Sequence, residues 1–157
     1  MMWTVHWCVI TLLFMRCLSS PIRQRSTQLV AFSVSRTTSL QAAANAVTIT
    51  HDLTNANVGD GYDRFTGHFT APVAGYYLLS MSEYLEASNG QTTDSYSFVR
   101  MRKNGGILTT VAGKITGHAN QVIVHLQVGD NVWTELVAHC KIYSSSSKYV
   151  TFSGVLS

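Results

Sequence analysis

Charge is scarce in this chain of 157 residues: 11 Lys and Arg against 8 Asp and Glu leave a formal +3. The basic residues are scattered, and only Arg100, Arg102 and Lys103 cluster. The stripe of cations that a nucleic-acid partner requires is therefore missing. Alternation would put Arg100 and Arg102 on one strand face, as a solvated strand end or, less simply, an anion site. No apolar run reaches the ~20 residues that cross a bilayer. Without a Gly-X-Y repeat there is no collagen stalk, and without successive heptads no coiled coil, so any oligomer must be held by the globular part. No Asn-x-Ser/Thr sequon occurs, so N-glycans do not mask the surface. Catalytic signatures are missing too. There is no Gly-x-Ser-x-Gly elbow, and His51, His68, His118, His125 and His139 stand at neither HExxH nor two-residue strand spacing. The chain does not read as an enzyme.

Cysteine is equally sparse. Residues 3–15 form an apolar run broken only by Thr4, His6 and Thr11, too short to span and placed at the N-terminus. That reads as a secretory signal peptide over residues 1–20, cleaved after Ser19 or Ser20. Cys8 and Cys17 would leave with it, and Cys140 alone would remain, which excludes a disulfide framework inside the mature domain. Cys140 then is either buried or pairs with another chain. Its expected strand face, shared with Leu136, Ala138 and Ile142, favours burial. Residues 21–29 read as a short polar arm, and 30–157 as one domain in an extracellular protein.

What the chain has in quantity is period-two alternation. Val30, Phe32 and Val34 alternate with polar residues in a first strand. Residues 41–46 read as a loop and Val47 with Ile49 as a short strand. Gly59-Asp60-Gly61 is a turn in which positive φ is cheap. Pro72 forces a turn before GYYLLSMSE, where Tyr77, Leu79 and Met81 share one face and Tyr76, Leu78 and Ser80 the other. SYSFVRMR is followed by Asn104-Gly105, a two-residue hairpin signal. GKITGHAN (113–120) reads as a loop, QVIVHLQV as a strand with Val122, Val124, Leu126 and Val128 along one face, VWTELVAHCKI as one strand, Ser144 to Ser147 as a loop, and YVTFSGVLS as the last strand. Eight to ten short strands without helical periodicity after the leader are the pattern of an all-β sandwich or jelly roll.

The spacing within residues 57–81 also resembles the globular head domain of complement C1q, which shares its jelly roll with the tumour necrosis factor ligands. Asn57, Tyr62, Phe69, Gly75 and Tyr77 fit that signature, as do Lys103-Asn104-Gly105, Leu126-x-Val128-Gly129-Asp130-x-Val132-Trp133 and Phe152-Ser153-Gly154. The resemblance runs from Ala31 to the C-terminus. His51 departs from it where an aromatic is usual, and Leu79 and Met81 replace two later aromatics. The resemblance implies a ten-stranded antiparallel jelly-roll β-sandwich that assembles as a homotrimer, of the secreted head-only type.

Members of that family bind calcium, so calcium is the cofactor to weigh. Asn55, Asn57, Asp60 and Asp63 faintly echo a calcium loop, yet glycine-aspartate turns form without metal, and no ligand set is assigned. Three segments read as recognition loops: 87–94, 113–120 and 143–148. Within them Asn89, Asp94, Lys114, His118, Asn120, Tyr143 and Lys148 offer small polar groups, an aromatic face and cations, although any solvated loop shares that composition. The resemblance makes the protein a secreted, non-enzymatic recognition molecule of innate immunity, binding microbial or host glycans or lipopolysaccharide-like patterns. The alternatives are a ligand of a protein receptor, of the tumour necrosis factor or cerebellin kind, and a protein of an extracellular matrix or mineral fluid.

Overall fold

The computed structural model describes residues 28–87 and 95–157; the expected signal peptide, most of the arm, and Asn89 and Asp94 lie outside them. The described residues form strands and turns only: β1 (Ala31–Arg36), β2 (Leu40–Gln41), β3 (Val47–Thr48), β4 (Leu53–Val58), β5 (Tyr62–Asp63), β6 (His68–Thr70), β7 (Gly75–Glu86), β8 (Ser97–Lys103), β9 (Gly106–Gly113), β10 (Thr116–Leu126), β11 (Asn131–Leu136), β12 (Lys141–Tyr143) and β13 (Val150–Leu156). Two antiparallel sheets stack as a jelly-roll sandwich. The larger has the order β2-β12-β7-β13-β1-β4, with β10 paired along the other edge of β7; the smaller runs β5-β6-β11-β8-β9, with β3 on β11.

β7 sets the arrangement. Its alternation puts Tyr77, Leu79, Met81, Glu83 and Leu85 wholly inside, while Tyr76, Leu78, Ser80, Ser82, Tyr84 and Glu86 face outward. The smaller sheet answers with Phe69, Val99, Met101, Val132 and Leu136, all fully buried. Each such side chain gains roughly 1.5–3 kcal/mol on leaving water. Phe32 is the centre of an aromatic cluster, 4.4 Å from the Phe69 ring, 4.8 Å from Phe152 and 5.6 Å from Tyr62. His51 fills the position where an aromatic is usual. It is buried beside Tyr62 and Phe152 at 6.0 and 6.1 Å, and its Nδ1 lies 2.9 Å from the Tyr62 hydroxyl.

Turns behave as their residues dictate. Asn104 and Gly105, with φ of 48° and 91°, make the tight hairpin between β8 and β9. Gly59 and Asp60 likewise have positive φ, 88° and 51°. Asn57 clamps that loop: its Nδ2 donates to the Tyr62 carbonyl at 2.9 Å, and its Oδ1 accepts from the Tyr62 N–H at 3.0 Å.

Three expectations fail. Residues 113–120 are mostly strand: only Lys114 and Ile115 connect β9 to β10, because Thr116–Asn120 pair with Leu85–Met81. Pairing satisfies the backbone that a glycine-rich composition suggested was free. The expected strand through VWTELVAHCKI breaks after Leu136; residues 137–140 turn, with His139 at φ 62°, and carry the chain from the smaller sheet to the larger. Cys140 is buried, yet in that turn and not on a strand face, where its Sγ accepts the Phe98 N–H at 3.3 Å. Val128 lies past the end of β10 and is exposed.

Asn57→Ala strands both backbone groups of buried Tyr62. It should lower unfolding free energy by about 1–3 kcal/mol in urea titration, with unchanged m-value. A loss below ~0.5 kcal/mol would mean that water replaces the clamp.

Candidate functional site

Chain direction and register bring segments 113–120 and 143–148 to one end of the sandwich, while residues 88–94 of the third segment lie outside the described residues. β7 ends there and β8 begins, β9 passes into β10, and β12 leads through residues 144–149 to β13. Ser97 ties three of these strands: its hydroxyl donates to the Glu86 carbonyl at 2.7 Å and accepts the Lys141 N–H at 3.1 Å. Of the residues singled out by sequence, Lys114 occupies the β9–β10 connection with Nζ 5.7 Å from the Tyr96 ring. Lys148 is exposed at φ 59°, and Tyr143 stands on the outer face of β12.

His118 and Asn120 are corrections, since both belong to β10 and not to a loop. Asn120 is engaged inside the fold, its Nδ2 donating to Thr109 Oγ1 at 2.7 Å. His118 pairs across the strands with Glu83, and its ring packs on Gly113, where a Cβ would collide with the imidazole. Both side chains are half-buried on the paired strand. The basic cluster is also spoken for: Arg102 and Arg100 reach Glu135 at 2.8 and 3.7 Å, and Lys103 reaches Asp130 at 2.9 Å. Lys103 and Asn104, with the Gln127 N–H, pull the Asp130 carboxyl down to about 2. In the segment that echoed a calcium loop, the Asn57 amide serves the clamp, and Asp63 accepts from the Phe65 N–H at 2.8 Å and the Thr66 hydroxyl at 3.0 Å.

Sequence reasoning missed what surrounds Tyr143. Tyr84 pairs with it across β7 and β12, and Tyr149 completes a cluster with ring centroids 5.9, 5.8 and 5.7 Å apart. Together with Glu86 and Ile115 they line a hollow of about 320 Å³. The signal available was parity, since Tyr84 and Glu86 share the outward face of Tyr76 and Leu78.

The outer face of the larger sheet is banded. At the end opposite the tyrosines, Ile123, Leu78, Val155, Ala31 and Val58 form one cross-strand row over β10, β7, β13, β1 and β4. Its four larger members are 38 to 69% exposed. The next row, Gln121, Ser80, Ser153, Ser33 and Ala56, is small and polar, and a hollow of about 420 Å³ lies along the two. Ala119, Ser82 and Thr151 separate these rows from the tyrosines.

Inside the sandwich, polar groups stand without partners. Both Glu83 oxygens are buried and accept no hydrogen bond, as are Thr134 Oγ1 and His51 Nε2. Burial pushes the Glu83 carboxyl well above the usual carboxylate range, with Arg36 opposing. Burial, reinforced by the Arg36 charge, drives the His51 imidazole down to about 3.

A two-sheet jelly roll with this register is the architecture of the C1q and tumour necrosis factor-like domains. The C1q domain family model matches residues 31–157, and the chain belongs to that family. Caprin-2 of Danio rerio is 32% identical over 132 residues, 81% of this chain and 14% of that protein. Complement C1q tumor necrosis factor-related protein 6 of Mus musculus is 27% identical over 80% of this chain and 48% of its own length. The chain thus spans half or less of these relatives. In fold it is similar to the globular domain of zebrafish complement 1qA protein, with TM-score 0.55, 19% identity, and 80% of this chain and 93% of that one covered. Murine APRIL gives 0.61 at 12% identity, covering 82% and 99%.

The two buried groups tilt stability in opposite directions with pH. Glu83 keeps its proton in the folded state, so its contribution is complete below the ordinary Glu value of 4.5 and is lost as pH rises toward its raised value. His51, depressed from 6.5 to about 3, costs stability as pH falls across that interval. Glu83→Gln should therefore melt above the parent at pH 8, with the gap closing toward pH 4.5 and the acid limb retained. Parallel melting curves for the two proteins over that range would show that Glu83 holds no raised value.

Proposed function

We propose that the protein is a secreted, non-enzymatic recognition molecule that works as a homotrimer and binds microbial or host glycans at the end of the sandwich where its turn segments gather. One observation carries the assembly. The apolar row from Ile123 to Val58 runs across five strands of a single sheet face, and its exposed side chains gain by being covered. The family to which the chain belongs, and the jelly-roll relatives it resembles, give that face a second copy of the same chain as its natural cover. Recognition then falls to the end that carries Lys114, Tyr143 and Lys148, with Tyr96 and Phe98 exposed beside Lys114. Aromatic faces stack on sugar rings, and cations suit acidic sugars and phosphates. Three weak sites on one body raise avidity by roughly 10²-fold or more when they engage one surface. Calcium at this end stays within the proposal, to be decided by chelation.

A second reading is favoured by Phe65, 79% exposed in the β5–β6 loop with the Arg64 guanidinium 4.8 Å from its ring. An aromatic and an arginine side by side are the chemistry of a protein-binding hot spot. In that reading the protein is a receptor ligand, as befits a relative in fold of APRIL.

Ile123→Glu should convert the trimer to monomers in light scattering, because three carboxylates would be forced into the apolar row. Parent and variant are then applied to an array of microbial and host glycans, with calcium and with chelator. The parent should bind and the monomer should bind at least tenfold more weakly, as lost multivalency requires. A blank array from a trimeric parent, with Phe65→Ala losing a protein partner instead, moves the assignment to the receptor ligand. A monomeric parent overturns the assembly.

A further inference from the structure

We propose that Tyr84, Tyr143 and Tyr149 form a receptor for organic ammonium groups, of which the trimethylammonium head of choline is the type. The rings come from three separate segments and are held by the fold. Tyr84 and Tyr143 are a registered cross-strand pair, and Tyr149 is delivered by the turn at Lys148 just ahead of buried Val150. Their centroids form a nearly equilateral triangle with sides of 5.7 to 5.9 Å. The ring planes are inclined to one another by 70°, 53° and 38°, so they do not form a parallel stack. A cation centred about 3.5 Å above that triangle lies about 5 Å from all three centroids, inside the ~6 Å reach of cation–π attraction.

The walls match the same ligand. Ile115 offers an aliphatic side for methyl groups, and Glu86, ion-paired with Lys141, completes the lining. Lys141 Nζ stands 3.0 Å from Glu86 Oε2 and pairs with its charge, so the ring faces, more than the carboxylate, must supply the attraction for a cation. A hollow of about 320 Å³ admits a trimethylammonium head with room for its tail to leave. Metal ions and primary ammonium groups fit worse: they are strongly hydrated, and tyrosine faces return too little for the water lost. A quaternary ammonium carries its charge on an apolar shell, which suits the ring faces. The hollow is also apart from the apolar row. Tyr84 lies six residues beyond Leu78 on β7, roughly 20 Å away, with two bands of small side chains between. The site therefore does not stand or fall with self-association through that row, although it shares Tyr143 with the proposed glycan-binding end.

The test is calorimetric titration of the purified full chain, in its native oligomeric state, with choline, tetramethylammonium and the neutral isostere 3,3-dimethyl-1-butanol. Both cations should bind saturably, and the isostere about tenfold more weakly or not at all. Tyr143→Ala and Tyr149→Ala should each weaken choline by about tenfold, while Tyr149→Phe, which keeps the ring face and the fold, stays within about threefold of the parent. Equal affinity for the isostere overturns the proposal, since the hollow would then be merely apolar. So does a Tyr149→Phe loss as large as that of alanine, which would assign binding to the hydroxyl. Absence of saturable heat at tens of millimolar overturns it as well.

Discussion

Everything in this fold hangs on the twelve-residue alternation of β7. A strand has two faces and no third option, so each residue of Gly75–Glu86 is assigned to the interior or the exterior by its parity. The inner face carries Tyr77, Leu79, Met81 and Leu85, all fully buried in the core, and the outer face carries what the molecule shows to its surroundings. β7 also pairs with three strands, β10 along one edge and β12 and β13 in succession along the other. A slip of one residue would exchange the two faces and expose Tyr77, Leu79 and Met81 at once. The register is therefore fixed by hydrophobic burial, and the banding of the outer face follows from it without separate cause.

The interior is not purely apolar, and its polar groups are of two kinds. His51 and Tyr62 satisfy one another at 2.9 Å and pack as rings within the aromatic cluster, so a histidine substitutes for an aromatic with one hydrogen bond in return. Neutrality is the condition of that exchange, and burial enforces it. Glu83 has no such compensation. Its oxygens lack protein partners, and the cheapest state for an isolated buried carboxyl is the protonated one. The surrounding Leu, Met and Val residues supply the stability that this position costs. Opposite pH slopes from His51 and Glu83 offset each other where their ranges overlap, between the ordinary values of 4.5 for Glu and 6.5 for His.

The faces of the strands were legible because alternation is a local property: Tyr77, Leu79 and Met81 against Tyr76 and Leu78 can be read from eight residues. Asn104-Gly105 was legible for the same reason, as a turn whose conformations only such residues accept cheaply. What escaped were features decided by distant pairing. Residues 113–120 have the glycine content of a loop, yet β7 offers an unpaired edge there, and its backbone groups outweigh local propensity. The break at 137–140 rests on a positive φ at His139, a residue that carries no turn signal. Tyr84, Tyr143 and Tyr149 are separated by 59 and 6 positions, and nothing short of the sheet order brings them together.

The division of the outer face has a consequence for affinity. Under the two binding proposals, a ring triad acts on a small cation with the strength of single contacts, and saccharide contacts at the neighbouring turns are no stronger. Monomeric binding at either is weak by its chemistry. The apolar row lies at the far end of the same sheet, so the proposed assembly through it would leave the tyrosine end uncovered while fixing several copies in a common orientation. Under the proposed assembly the weak sites point one way, and a surface that presents many ammonium or sugar groups meets all of them together. Effective concentration then supplies what the individual contacts lack, and it does so selectively for repetitive surfaces over soluble monovalent ligands.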